Sequence, residues 1–147
     1  MDHDEHSEVQ AGFSTFVCEL WEAGRYDDAE ALCEALVQLA PGWVHPWLGL
    51  ASARERRGDL DGADRALVAA CRLRPEDPEP FLRRTEVAVA RAAGESAEDG
   101  ALRKERARKL VAATARRLRN DAPGRGQARL RFLERRLDTA RPRELRK

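Results

Sequence analysis

A spacing of 34 residues constrains this chain more than any other feature. Gly24 recurs as Gly58, Ala29 as Ala63, Leu39 as Leu73 and Pro41 as Pro75, all in one frame. Four coincidences at a single offset mark two consecutive copies of one supersecondary unit. The second copy, Val44 to Asp77, reads as a helix, a turn and a helix. Trp47, Leu48, Leu50, Ala51 and Ala53 recur at helical spacing, and Gly58 followed by Asp59 stops that helix. The next helix presents Leu60, Ala63, Ala66, Leu67, Ala70 and Leu73 on one face. It ends at Pro75, which cannot continue the backbone hydrogen-bond ladder.

The unit resembles a tetratricopeptide repeat, which carries an aromatic at position 4, a large apolar residue at 7, small residues at 8, 20 and 27, and proline at 32. The second unit matches with Trp47, Leu50, Ala51, Ala63, Ala70 and Pro75. The first, Gln10 to Trp43, offers Phe13, Phe16, Val17, Ala29, Leu36 and Pro41. Its departures at positions 8 and 27 predict looser packing there, because paired helices approach closely only where one presents a small side chain to the other.

Ahead of the repeats, residues 1–9 read as a disordered acidic leader, with the first helix beginning near Val9. His3 and His6 stand three apart, but no third ligand is near, and no metal or other cofactor is expected. After Asp77 a third repeat over 78–120 opens well, with Pro80 in a first turn and Phe81 at position 4. Its frame then breaks at a Gly, Ser and acid-rich loop, 93–100. The following helix has an apolar stripe of Leu102, Ala107, Leu110, Val111, Thr114, Ala115 and Leu118. Residues 121–147 form a basic capping helix and tail, with Leu130, Leu133 and Leu137 on one side and Phe132 beside them. The expected fold is all-α: a right-handed α-solenoid of antiparallel helix pairs, about two and a half to three units over 10–120, closed by the C-terminal helix in one continuous stacked core.

Composition narrows the function. No stretch approaches the roughly 20 apolar residues of a membrane span, and the acidic N-terminus is unlike a signal peptide, which points to the cytoplasm. Cys18, Cys33 and Cys71 lack paired spacing and read as small core residues. The net charge of +1 hides a division. Residues 1–100 carry 10 Arg, no Lys, 9 Asp and 12 Glu, whereas residues 101–147 carry 14 Arg, 3 Lys, 2 Asp and 3 Glu. Such asymmetry fits an acid-binding tail, an intramolecular clasp or a solvated face. Catalysis has no footing: there is no Gly-rich phosphate loop and no nucleophile with a base, and His45 before Pro46 reads as a helix opening.

By resemblance to the family, the first helix of each repeat lines a concave face through positions 2, 5, 9, 12 and 13. That implies a peptide-binding groove of Ser14, Cys18, Trp21, Leu48, Ser52, Glu55, Leu82, Glu86 and Val89, with Trp21, Leu48, Leu82 and Val89 as apolar stations. The family's clamp for a chain-end carboxylate is missing, since its positions hold Ser14, Cys18, Gly49, Glu79 and Arg83, of which only Arg83 fits. A narrower resemblance, over Phe13 to Ala92, is to the small chaperones of type III secretion that hold hydrophobic translocators. It implies a non-catalytic chaperone or adaptor with a protein client, and a homodimer is a further expected partner. The alternative is a scaffold whose basic last third, with Lys104, Arg108, Lys109, Arg116 and Arg119, binds nucleic acid or another acidic partner. Sparse aromatics and interrupting acids disfavour nucleic acid.

Overall fold

The computed structural model describes residues 3–93, 97–119 and 124–139. Seven helices span them: α1 (His3–Glu22), α2 (Tyr26–Leu39), α3 (Val44–Arg56), α4 (Leu60–Leu73), α5 (Pro78–Ala93), α6 (Ala97–Leu118) and α7 (Arg125–Thr139). Residues 94–96 of the expected loop, 120–123 and the tail 140–147 lie outside the described residues. Where the repeat pattern suggested one stacked core, the chain divides into two compact units, Met1–Leu73 and Arg74–Lys147.

In the first unit the shared punctuation does the expected work. Gly24 and Gly58 adopt φ of 72° and 79°, the left-handed conformation that ends α1 and α3 and that side chains with a Cβ disfavour. Asp59 caps α4 by accepting from the Gly62 N–H at 2.9 Å. Pro41 closes the first copy, and its carbonyl accepts from the Trp47 indole N–H at 3.0 Å, tying one copy to the next. Ala29, Ala63, Ala66, Leu67 and Ala70 are fully buried between the helices.

Two details differ from the sequence reading. The first helix begins at His3, not near Val9, so the leader is drawn into α1. The stretch DEHSEVQ lacks Gly and Pro, so its backbone can continue the helix. In the first copy Val17 at position 8 takes the buried place (4% exposed), leaving Phe16 half in water at 50%. Consistent with that bulky residue, α1 packs less extensively on α2 than α3 does on α4.

The second unit is built on α5, α6 and α7. Its core contains Leu82, Val89 and Ala92 from α5, Ala107, Val111 and Leu118 from α6, and Leu130, Leu133 and Leu137 from α7. Between α5 and α6, Thr85 and Thr114 meet Oγ1 to Oγ1 at 2.8 Å, and both are buried. Helix α6 begins at Ala97, inside the expected loop, with Glu98 and Asp99 in its first turn. Leu102 is a correction to the predicted stripe, being 59% exposed. It sits five residues before Ala107, about 140° away around the helix, and Gly100 and Arg103 continue the inner face instead. Phe132 on α7 likewise faces water at 60%.

Candidate peptide-binding face

In the first unit the candidate residues lie on two neighbouring helices. Ser14, Cys18 and Trp21 follow at helical spacing on α1, and Leu48, Ser52 and Glu55 at the same spacing on α3. Ser14 and Cys18 are exposed, which corrects the reading of Cys18 as a core cysteine; Trp21, Leu48, Ser52 and Glu55 are half-buried. The helices are held together beneath this face. Phe13 stacks in a tilted arrangement on Trp43, ring centroids 5.1 Å apart, and Gly49 brings α3 against Phe13 and Cys33.

Trp21 is less open than an apolar station would be. The Arg56 guanidinium lies over its ring, 4.9 Å from the centroid, and 5.6 Å from the centroid of Tyr26. The indole N–H is buried and meets no acceptor among the described residues. Trp21 is position 12 of the first repeat and Arg56 position 13 of the second, so the pairing is diagonal across adjacent repeats. That adjacency was available from the frame alone, yet Tyr26, the first residue of α2, carried no such signal.

Behind the face, charge is balanced locally. Glu30, only 7% exposed, receives Arg57 in a hydrogen-bonded ion pair and Arg54 at 3.6 Å, and Arg54 also reaches Glu34 at 3.5 Å. The hydrogen bond to Glu30, then that carboxylate's charge, raises the Arg57 pKa. Cys33 sits beside these acids, and burial, then Glu30 and Glu34, push its thiol up to about 11. Cys33 is therefore a protonated packing residue rather than a nucleophile.

The second unit corrects the sequence expectation most. Leu82 and Val89, proposed as open apolar stations, are 3% and 1% exposed, because α7 lies on the face of α5 that carries them and covers it with Leu130, Leu133 and Leu137. Glu86 is likewise engaged. Arg129 of α7 donates from Nε and Nη2 to its two oxygens at 2.8 and 3.0 Å, and from Nη1 to both oxygens of Glu79 at 3.0 and 2.9 Å. Those hydrogen bonds, Glu86 first, hold the Arg129 guanidinium firmly protonated. The face that α5 would offer a ligand is filled by the chain's own last helix.

Of the alternative basic patch, Arg108, Lys109, Arg116 and Arg119 are exposed and Lys104 half-buried, spread over about 140° of α6. Lys109 pairs loosely with Glu105 at 3.9 Å. Arg117, itself exposed, lies over the Phe81 ring at 3.7 Å and donates to the Pro75 carbonyl.

A sequence model of the tetratricopeptide repeat matches residues 20–83, the stretch that holds the α3–α4 hairpin of the first unit. Among solved structures, the fold matches the type III secretion translocator chaperone SycD of Yersinia enterocolitica. That structure has a TM-score of 0.67 and 15% identity over 91% of this chain and 84% of that one. A second SycD structure, in complex with a peptide of the translocator YopD, gives 0.68 and 14% over 90% and 92%. A third, an alternative dimer of SycD, gives 0.67 and 14% over the same shares. At such identities the likeness establishes the fold. No curated protein matches in sequence. No described helix is long and apolar enough to cross a membrane.

Proposed function

We propose that this chain is a non-catalytic peptide-binding protein, a small cytoplasmic chaperone or adaptor that holds an extended, apolar-anchored segment of a client protein. The observation that carries this reading is the match along nine-tenths of the chain to a chaperone fold solved with a translocator peptide bound. The segment lies along α1 and α3 of the first unit, contacted by Ser14, Cys18, Trp21, Leu48, Ser52 and Glu55. The mechanism is masking: an aggregation-prone stretch is covered by the protein's own surface, and no bond is made or broken. The client class that fits is a hydrophobic translocator of type III secretion. Glu86, Leu82 and Val89 belong to the second unit, where α7 already occupies them. Val9 and Phe16, 61% and 50% exposed and seven residues apart on α1, are the surface through which a homodimer would form.

Affinity capture from a native extract, read by mass spectrometry, tests the proposal on wild type, a Trp21→Asp/Leu48→Asp variant, and a variant with Arg116, Arg117 and Arg119 changed to Glu. Capture of one or two apolar proteins that is lost only in the first variant supports it. Recovery of nucleic acid that disappears only with the arginine variant refutes it in favour of the basic face, as does steep weakening of binding with salt.

A further inference from the structure

We infer that Arg56 is an anion station in the first unit's binding face, one that takes the side-chain carboxylate of an Asp or Glu within the client segment. The inference rests on the peptide-binding reading and adds a chemical requirement to it.

The run Arg54-Glu55-Arg56-Arg57 shows the contrast that carries it. Arg54 and Arg57 are both paired with the buried Glu30. Arg56 lies between them in sequence, is exposed, and among the described residues has no ion pair or hydrogen bond. It sits in a half of the chain where acids outnumber arginines about two to one, so a carboxylate partner would be easy to supply. Instead two rings hold it, Trp21 at 4.9 Å and Tyr26 at 5.6 Å. Contact with ring faces steadies a guanidinium while leaving its N–H donors free to grip a carboxylate in two-pronged fashion. Much of the entropy cost of ordering a long side chain is then met before the ligand arrives.

The surroundings agree. Of the concave-face positions of the two repeats, namely Ala11, Ser14, Cys18, Trp21, Glu22, His45, Leu48, Ser52, Glu55 and Arg56, only Arg56 carries a permanent positive charge. A client carboxylate therefore has one place to go, about two helical turns along α3 from the apolar contact of Leu48, and the two together set its register. Trp21, expected as an apolar pocket, serves as the platform under the cation.

The test uses the full-length protein and a random 12-residue peptide library displayed with its C-terminal end fused, so that no chain-end carboxylate is offered. The expected consensus has one acidic residue at a fixed distance from an apolar anchor. Selected peptides, made with blocked ends, are then titrated by fluorescence anisotropy. Changing the consensus acid to its amide weakens binding to wild type about tenfold, but by less than twofold to Arg56→Gln, with Arg56→Lys between the two. A matched thermal melt shows that the exposed substitution leaves the fold intact. A consensus with apolar anchors and no acidic position overturns the anion station and leaves peptide binding standing, as does an acid-to-amide loss that is equal on wild type and Arg56→Gln. If wild type selects no peptide at all, the peptide-binding reading falls and the station with it.

Discussion

Replacing Arg129 by methionine removes the charge that ties α7 to α5 and keeps most of the apolar stem, so it measures what the ionic clasp adds to the leucine contacts. The geometry is favourable, with four hydrogen bonds of 2.8 to 3.0 Å and both carboxylates gripped by paired contacts. Exposure works against it, since the side chains of Arg129, Glu79 and Glu86 are 33%, 49% and 37% accessible. Exposed pairs are worth about 0.2–1 kcal/mol each, so two pairs with good geometry give a loss of about 1–2 kcal/mol. Leu133→Ala, from a residue 3% exposed, should cost more, about 2–5 kcal/mol. Urea unfolding must be followed by far-ultraviolet circular dichroism, because Trp21, Trp43 and Trp47 all lie in the first unit and do not report on this one. A double-mutant cycle of Arg129→Met with Glu86→Gln isolates the pair, with an expected coupling near ~0.5–1 kcal/mol at low salt that shrinks at 1 M salt. A coupling within error of zero at low salt would refute the clasp and leave α7 held by its leucines alone.

Three further outcomes follow from buried contacts. Thr85 Oγ1 donates its single proton to the Phe81 carbonyl at 2.8 Å, so Thr114 must be the donor in the bond between the two hydroxyls. Thr85→Val then strands a buried donor at about 1–3 kcal/mol, Thr114→Val costs less, and the double valine variant costs less than the sum of the two, as chemical denaturation will show. A Cβ on Gly49 would stand 2.8 Å from Cys33 Sγ, so Gly49→Ala should destabilise by about 1–3 kcal/mol despite its better helix propensity, and Cys33→Ala should relieve most of that added cost. Because the folded thiol of Cys33 is raised to about 11, its stabilising contribution is complete below the unfolded value near 9 and is lost as pH rises through 11. Iodoacetamide at pH 8 should therefore label exposed Cys18 well before Cys33, and equal labelling rates would contradict the buried placement.

The hairpins were legible because their signals are local. Gly58 with Asp59, the Ala63 to Ala70 face and Pro75 each act within one turn of helix, and the structure uses each as the repeat frame indicated. What escaped was set by contacts between distant segments. Nothing near Leu82 or Val89 announces that α7 will lie over them; the open concave face of a repeat and the underside of a capped one have the same residues. Leu102 shows a subtler failure, in which an apolar residue was counted into a stripe although its angle places it outside. Phe16 and Val17 exchanged roles because both are large and apolar, and only packing on α2 decides which is buried.

The division of charge between the two ends of the chain now has a physical account. Part of it is a clasp: Arg129 reaches Glu79 and Glu86, and Arg117 covers Phe81, so basic residues of the last third are spent within the second unit on α5. Part is a water-facing surface, where Arg108, Lys109 and Arg116 lie exposed on α6 and Arg119 just past its end. The same accounting separates the two units in function. In the second, Glu79, Glu86, Leu82 and Val89 of α5 are already matched by an internal helix, and a client would have to compete with an intramolecular partner at high effective concentration. In the first, the buried Glu30 takes two arginines and leaves the third presented on aromatic rings, so the unmatched chemistry is there. Binding should therefore respond strongly to changes at Leu48 and Arg56 and weakly to changes at Glu79, as titration of one selected peptide against the three variants would measure.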